Sequence, residues 1–198
     1  VYLSAAVRSY AGALTLTGYS AGTRGVETIA GASLQAATTL SVTGVGKTDG
    51  VRLMDSLLAG GDISISGQVA VATGSTAVQL GDTTKSTRST GGSLKIVGTS
   101  VGGGGILALH SLSAGASTVL IPNAPSNTFS KVGVLLSGTT NDAAAYAVRL
   151  QGNLTNNTVG GDTTILAAGG LGYDDVAASF ITNGPNAGRV SISATGSL

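Results

Sequence analysis

The stretch Thr39-Leu40-Ser41-Val42-Thr43-Gly44-Val45-Gly46-Lys47-Thr48-Asp49-Gly50-Val51-Arg52-Leu53 decides the fold. It holds two short alternating runs, 40–43 and 51–53, on either side of a glycine-rich turn. Successive side chains of an extended chain leave on opposite sides. Leu40, Val42, Val51 and Leu53 therefore share one face, and Ser41, Thr43 and Arg52 the other. Outward from this stretch the same unit recurs. The first strand, a run ending in glycine, returns at 14–18, 63–67 and 94–98 as Leu-Thr-Leu-Thr-Gly, Ile-Ser-Ile-Ser-Gly and Leu-Lys-Ile-Val-Gly. Val119-Leu120-Ile121 reads as a fifth copy, with Pro122 in place of the turn, and Val190-Ser191-Ile192-Ser193 as the last.

A second strand lies between these copies and begins at Val1, Val26, Val51, Val78, Ile106 and Val134, spacings of 25, 25, 27, 28 and 28. A third apolar point follows several of these starts, at Val7, Leu34, Leu57 and Leu112. Each repeat thus predicts three short strands with Gly, Ser, Asn or Asp between them. A unit of this size cannot bury its own apolar face and must do so against the next copy. The expectation is an all-β fold, a parallel β-helix (β-solenoid) with three short strands per coil and coils of about 25–28 residues, like strands pairing about 4.8 Å apart. An antiparallel sandwich or barrel is the competing reading. It would want two-residue Asn-Gly or Asp-Gly hairpin turns between adjacent strands, and here the connections are longer. After Val134 the pattern blurs. The run 141–150 reads either as a short capped helix or, with Val148-Arg149-Leu150-Gln151-Gly152, as another first strand. Thr164-Ile165-Leu166 and Ser179-Phe180-Ile181 carry the stack on to Val190. Insertions are expected at 69–75 and 122–130.

Composition narrows the function classes. Charged residues are 10% and hydrophobic ones 42%, the opposite of the low hydrophobicity and high charge that keep a chain disordered. A formal net charge of +1 with no basic cluster leaves no footprint for nucleic acid or anionic lipid. The densest basic stretch, Lys85-Ser86-Thr87-Arg88, reads as a solvated turn. The absence of cysteine excludes disulfides, and suits either a cytosolic chain or one that stays unlinked until exported. No run approaches the roughly 20 apolar residues of a membrane span. Val1-Tyr2-Leu3 matches Val51-Arg52-Leu53, so residues 1–198 read as one continuous solenoid segment of a longer polypeptide.

The units Gly25-Val26, Gly50-Val51-Arg52-Leu53, Gly105-Ile106 and Gly133-Val134-Leu135-Leu136, together with the strands of the 14–18 type, resemble the repeat regions of large bacterial surface exoproteins. These are the filamentous-haemagglutinin-like adhesins of two-partner secretion and the related autotransporter passengers. The resemblance covers nearly the whole chain. It implies a right-handed parallel β-helix that forms an extracellular shaft supporting adhesion or cell–cell contact, with no catalytic residues and no cofactor or metal.

Several motifs invite a chemical reading. Gly44-Val45-Gly46-Lys47-Thr48 contains Gly-Lys-Thr, but a phosphate loop needs a glycine where Ser41 stands and a helix where a β-type run follows. Gly169-Gly170-Leu171-Gly172-Tyr173-Asp174-Asp175-Val176 matches one copy of the calcium nonapeptide, whose ligands come from two neighbouring copies. Asp174 and Asp175 are also where the paired carboxylates of a polysaccharide-processing β-helix enzyme, the first alternative function, would be sought. His110 reads as a corner or partly buried histidine. The outward pairs Thr15/Thr17, Ser41/Thr43 and Ser64/Ser66 form a hydroxyl ladder resembling the faces of some ice-binding solenoids, and an ice- or glycan-binding role is the second alternative; Lys95 and Val97 break the ladder. Asn153-Leu154-Thr155 and Asn156-Asn157-Thr158 satisfy a glycosylation sequon. The reading carried forward is a non-catalytic structural or adhesive shaft at the bacterial cell surface. Its expected partners are copies of itself, end-to-end or lateral, and a host or neighbouring cell, with no nucleic acid and no membrane insertion. Exposed strand edges at the ends of a stack favour such association.

Overall fold

The computed structural model describes residues 1–71, 75–115, 131–176, 181–184 and 187–196. Among them there is no helix, and the chain forms three seven-stranded sheets, each parallel throughout. Sheet I holds the glycine-ending strands Leu14–Tyr19, Leu40–Gly46, Ile63–Val69, Leu94–Ser100, Lys131–Thr140, Gly161–Ala168 and Val190–Thr195. Sheet II holds Tyr2–Leu3, Val26–Thr28, Asp49–Leu53, Thr76–Leu80, Gly104–Ala108, Val148–Leu150 and Tyr173–Asp175. Sheet III holds Val7–Ser9, Leu34–Ala36, Leu57–Ala59, Ser86–Ser89, Ser111–Ala114, Leu154–Asn156 and Ile181–Asn183. The chain visits sheets II, III and I in turn and then starts the next coil, so each strand pairs with its equivalents one coil away. This is a β-solenoid with three strands per coil.

Register turns the sequence repeat into columns. Leu40 faces Ile63, Ile63 faces Leu94 and Leu94 faces Val134; Val42, Ile65, Ile96 and Leu136 form the column two residues on. Sheet II contributes Val26, Val51, Val78, Ile106 and Val148, and sheet III Leu34, Leu57, Leu112 and Leu154. All of these are at most 1% exposed. Each such aliphatic side chain contributes on the order of 1.5–3 kcal/mol through burial. In the outer coils the same positions have one neighbour instead of two, and Val190 and Ile192 are each 46% exposed.

The glycine that ends the first strand has a steric reason. Gly18, Gly44, Gly67, Gly98 and Gly138 stack in register. A Cβ on each would fall well inside contact distance of one backbone carbonyl oxygen, that of Gly25, Gly50, Ala77, Gly105 and Ala147 respectively. Those partners directly precede the first valine or isoleucine of the sheet II strand. Sheets I and II therefore meet backbone against backbone along this line, and both halves of the Gly…Gly-Val signature belong to one contact. The column ends in Ala167 and Ala194, and Gly172 sits in looser surroundings, a Cβ there finding only Ala194 at 3.5 Å.

Several expectations after residue 100 are corrected. Val134 belongs to sheet I, paired with Leu94, and is not a second-strand start. The true successor of Ile106 in sheet II is Val148. The difference between these two positions is 42, and the extra length enters around 116–130. Val134 lies 28 residues after Ile106 by coincidence of that added length. The run 141–150 is neither a helix nor a first strand, since Val148–Leu150 is in sheet II. Thr164-Ile165-Leu166 lies in sheet I and Ile181 in sheet III. Residues 119–121 and 179–180 and the expected insertion 122–130 lie outside the described residues, as does the middle of 69–75. Lys85-Ser86-Thr87-Arg88 is only partly a turn: Thr87 is fully buried in the sheet III column between Leu57 and Leu112.

Gly67→Val should lower stability by about 3 kcal/mol in denaturant unfolding, because the added carbons meet backbone that cannot move aside. Thr43→Val, on the outward face of the same sheet, should stay within about 0.5 kcal/mol of wild type.

Candidate functional site

Chemistry needs polar groups that converge on a shared space, and the carboxylates of this chain are spread along its corners. At the turn from sheet I to sheet II, Arg24 Nε donates to Asp49 Oδ2 (2.7 Å) and Arg24 Nη1 to Glu27 Oε1 (3.0 Å). Arg52 Nη1, one coil on, also donates to Glu27 Oε1, at 2.9 Å. The hydrogen bond to Asp49 and the charge of Glu27 outweigh burial and raise the Arg24 pKa. Asp49, 3% exposed, accepts in addition from the Thr76 amide of the following coil. Asp62 takes the Ser93 amide and hydroxyl at 2.7 and 2.9 Å, and Asp162 takes the Arg189 amide at 2.7 Å. Asp142 accepts from the amides of Gly103 and Ala144. Each of these carboxylates fastens a corner, most of them to a neighbouring coil.

Asp55 belongs to the same class. It is 6% exposed and accepts from the Gly31 amide of the preceding coil (2.5 Å) and from the Ser56 amide (2.6 Å), with Lys85 Nζ of the following coil at 3.6 Å. Burial pushes its pKa up, but the two amides and the lysine together hold it below the usual carboxylate range.

The chemical motifs resolve into similar structural parts. The Lys47 and Thr48 amides, which a phosphate loop would turn on its ligand, both donate to the Thr23 carbonyl at 2.7 and 2.9 Å, and a strand follows. In 169–174, Gly169, Gly170 and Gly172 have positive φ, and the amides of Gly169 and Leu171 bond to the Thr195 and Ala145 carbonyls. Asp174 pairs with Arg149 Nε at 2.9 Å. Asp174 and Asp175 are in register with Arg149 and Leu150, so they leave opposite faces of one strand and do not flank a common bond. Burial, followed by Asp175 and Asp174, pushes the Tyr173 phenol up to about 12. Among the described residues no three of His, Cys, Asp and Glu come together to hold a metal ion. An open depression of 370 Å³ is lined by Asp162, Arg189, Val190 and Ser191, and in it Arg189 Nη2 and Asp162 Oδ2 lie 3.9 Å apart as an ion pair.

His110 sits at the corner between sheets II and III, fully buried, with Nε2 2.8 Å from the Gly81 carbonyl and Nδ1 3.2 Å from the Thr87 hydroxyl. The hydroxyl ladder is in register from Thr15 through Ser41 to Ser64, then reaches Lys95 and Leu135 before Thr164 and Ser191. Asn156 is fully buried, its amide donating to the Gly161 carbonyl (2.8 Å) and the Thr163 hydroxyl (3.0 Å), so that sequon is closed to a glycan. Asn183 repeats the arrangement one coil later, donating to the Gly188 carbonyl at 2.7 Å and accepting from Thr163 at 2.8 Å. This internal asparagine stack was missed in the sequence reading. Its signal was the recurrence of asparagine five residues before a glycine. Comparison with protein-family models, with curated proteins and with solved structures finds no match to this chain.

A group whose pKa is depressed on folding stabilises above its unfolded pKa, and that contribution is lost as pH falls through the folded value. Asp55→Ala should cost about 2 kcal/mol at pH 7 in denaturant unfolding. The gap to wild type should narrow once the pH drops below about 4.

Proposed function

We propose that this segment is a non-catalytic structural shaft of an extracellular fibre at a bacterial cell surface, related to the filamentous-haemagglutinin-like exoproteins that its Gly-Val repeats resemble. The observation that supports it best is how the polar groups are used. Glu27, Asp49, Asp55, Asp62, Asp142, Asp162 and Asp174 each hold a coil corner or a basic neighbour. Asp82 holds its own turn through Thr84. An assembly of this kind stiffens a rod and commits these carboxylates to holding it together. The two ladder rows of sheet I present Ser, Thr and aliphatic side chains on which Lys95 is the one charge, a surface suited to a spacer.

In this reading the partners are further coils or copies of the same chain, with a host or neighbouring cell at the distal end of the parent fibre. Antibody raised against residues 1–198 should label intact cells of the source organism, and brief external protease should remove the label. Labelling only after permeabilisation would overturn the surface assignment. Light scattering of the purified segment should show particle mass rising with concentration, and a monomer at the highest concentration would remove the association arm. Release of reducing ends or unsaturated sugars from a polysaccharide panel would favour the enzymatic alternative instead.

A further inference from the structure

We propose that the corner formed by 81–86 is an acid-sensitive latch, held shut by the neutral imidazole of His110. Three observations meet there. The connection from sheet II to sheet III is lengthened: three residues separate Leu53 from Leu57 and Ala108 from Leu112, whereas six separate Leu80 from Thr87. Asp82, within that connection, has φ +95°, the one non-glycine residue with positive φ among the described residues. A side chain in that region is strained and stays there only while its surroundings hold it. Within the turn, Asp82 Oδ1 accepts from the Thr84 amide and hydroxyl; the third observation is the group that ties the turn to the next coil.

His110 comes from the next coil, and its ring bonds both ends of the lengthened corner. Nε2 lies 2.8 Å from the Gly81 carbonyl, directly before Asp82, so it carries the proton and donates. Nδ1 is then the acceptor for the Thr87 hydroxyl at 3.2 Å. Thr87 takes a column position that Leu57 and Leu112 fill in the adjacent coils, which is the polar replacement the imidazole requires. Backbone from neighbouring coils encloses the corner: the Gly81 amide donates to Leu53, the Ser111 amide to Lys85, and Gly152 leaves no room for a side chain against the His110 carbonyl.

The charged groups around the ring are Asp82 and Lys85 on the corner itself and Asp55 on the preceding coil. Burial lowers the imidazole pKa, and Lys85 adds to this, against the Gly81 hydrogen bond and the two aspartates. The sign follows. A folded pKa below the ordinary 6.5 means that the open corner binds a proton more readily than the closed one. Closure is fully supported above about pH 6.5 and weakens as pH falls below it, with opening rising by up to tenfold per pH unit. Protonation places a second donor at Nδ1 and a positive charge in the core. The strained turn then releases from Gly81 outward, while the remaining coils keep their columns.

Amide hydrogen exchange on the full 198-residue chain at pH 7 and pH 5, corrected for intrinsic rates, tests this. The Lys85 amide, bonded to Asp82, and the Ser111 amide, bonded to Lys85, should lose more than threefold protection at pH 5. Amides of the strand Leu40–Gly46 should change less than threefold, and in His110→Gln the acid-induced loss at 85 and 111 should vanish. Equal pH dependence at the corner and in that strand overturns the latch, as does an unchanged acid response in His110→Gln. Should that variant fail to fold, the wild-type imidazole resonances decide: titration below the ordinary 6.5, in step with the loss of protection at 85 and 111, supports the latch, and titration at or above 6.5, or out of step with that loss, overturns it.

Discussion

Everything in this molecule follows from the close approach of two backbones, the glycine at the end of each sheet I strand against the carbonyl that precedes each sheet II strand. A methyl group at that point would occupy space already held by the oxygen. From Gly18 to Gly138 the contact holds the two sheets at backbone distance, coil after coil. Inside the stack, Leu, Ile and Val fill columns whose members are in parallel register. Apolar burial supplies the driving force, while the glycine line sets the shape. Where alanine replaces glycine, at Ala167 and Ala194, the inward position next to it also changes character, from Val148 to Tyr173.

Polar residues do a second job, which is to hold coils in register. Alternation forbids a one-residue slip, which would turn the apolar columns outward, but it does not say which coil pairs with which, since neighbouring coils look alike. Carboxylates at the corners answer this by bonding to backbone amides of particular neighbours, as Asp62 does with Ser93 and Asp55 with Gly31. The buried Asn156–Thr163–Asn183 stack does so inside the core. Buried polar groups of this kind contribute specificity of pairing more than net stability. A chain with few charged residues that spends most of its carboxylates on its own corners fits a scaffold better than a catalyst, and this is the physical basis of the shaft reading.

His110 departs from this economy. It is a buried group that titrates near neutral pH, where the buried Asp49 and Asp55 stay charged and the buried hydroxyls and asparagine stay neutral, and it faces the strained corner at Asp82. A solenoid is a stack of nearly independent neighbours, so a local opening at one corner need not disturb the coils beyond the adjoining ones. The fold therefore permits a local response to acid within a rod that stays intact.

In the first hundred residues, period-2 alternation and a near-constant spacing placed Leu40, Val51 and Leu57 on three different sheets and Leu40 against Ile63, as observed. The same arithmetic failed at Val134, because the added length around 116–130 reset the phase of the repeat, and spacing carries no information once an insertion of unknown length intervenes. Phase had to come from the hydrogen-bonded register with Leu94. The motifs at 44–48 and 169–174 were legible as patterns, but only the partners of their amides and carboxylates, from Thr23, Ala145 and Arg149, showed what those groups are used for. By itself the sequence determined the local extended geometry and the face each side chain takes, because alternation and glycine placement act between near neighbours. Tertiary structure alone decided which coil each corner carboxylate grips, how His110 meets Gly81 and Thr87, and why the glycines stand where they do. The carboxylate grips between coils and the histidine contacts join residues about a coil apart in the chain, and the glycine contacts join residues on two different sheets across a corner, where the periodicity of a single strand has no reach.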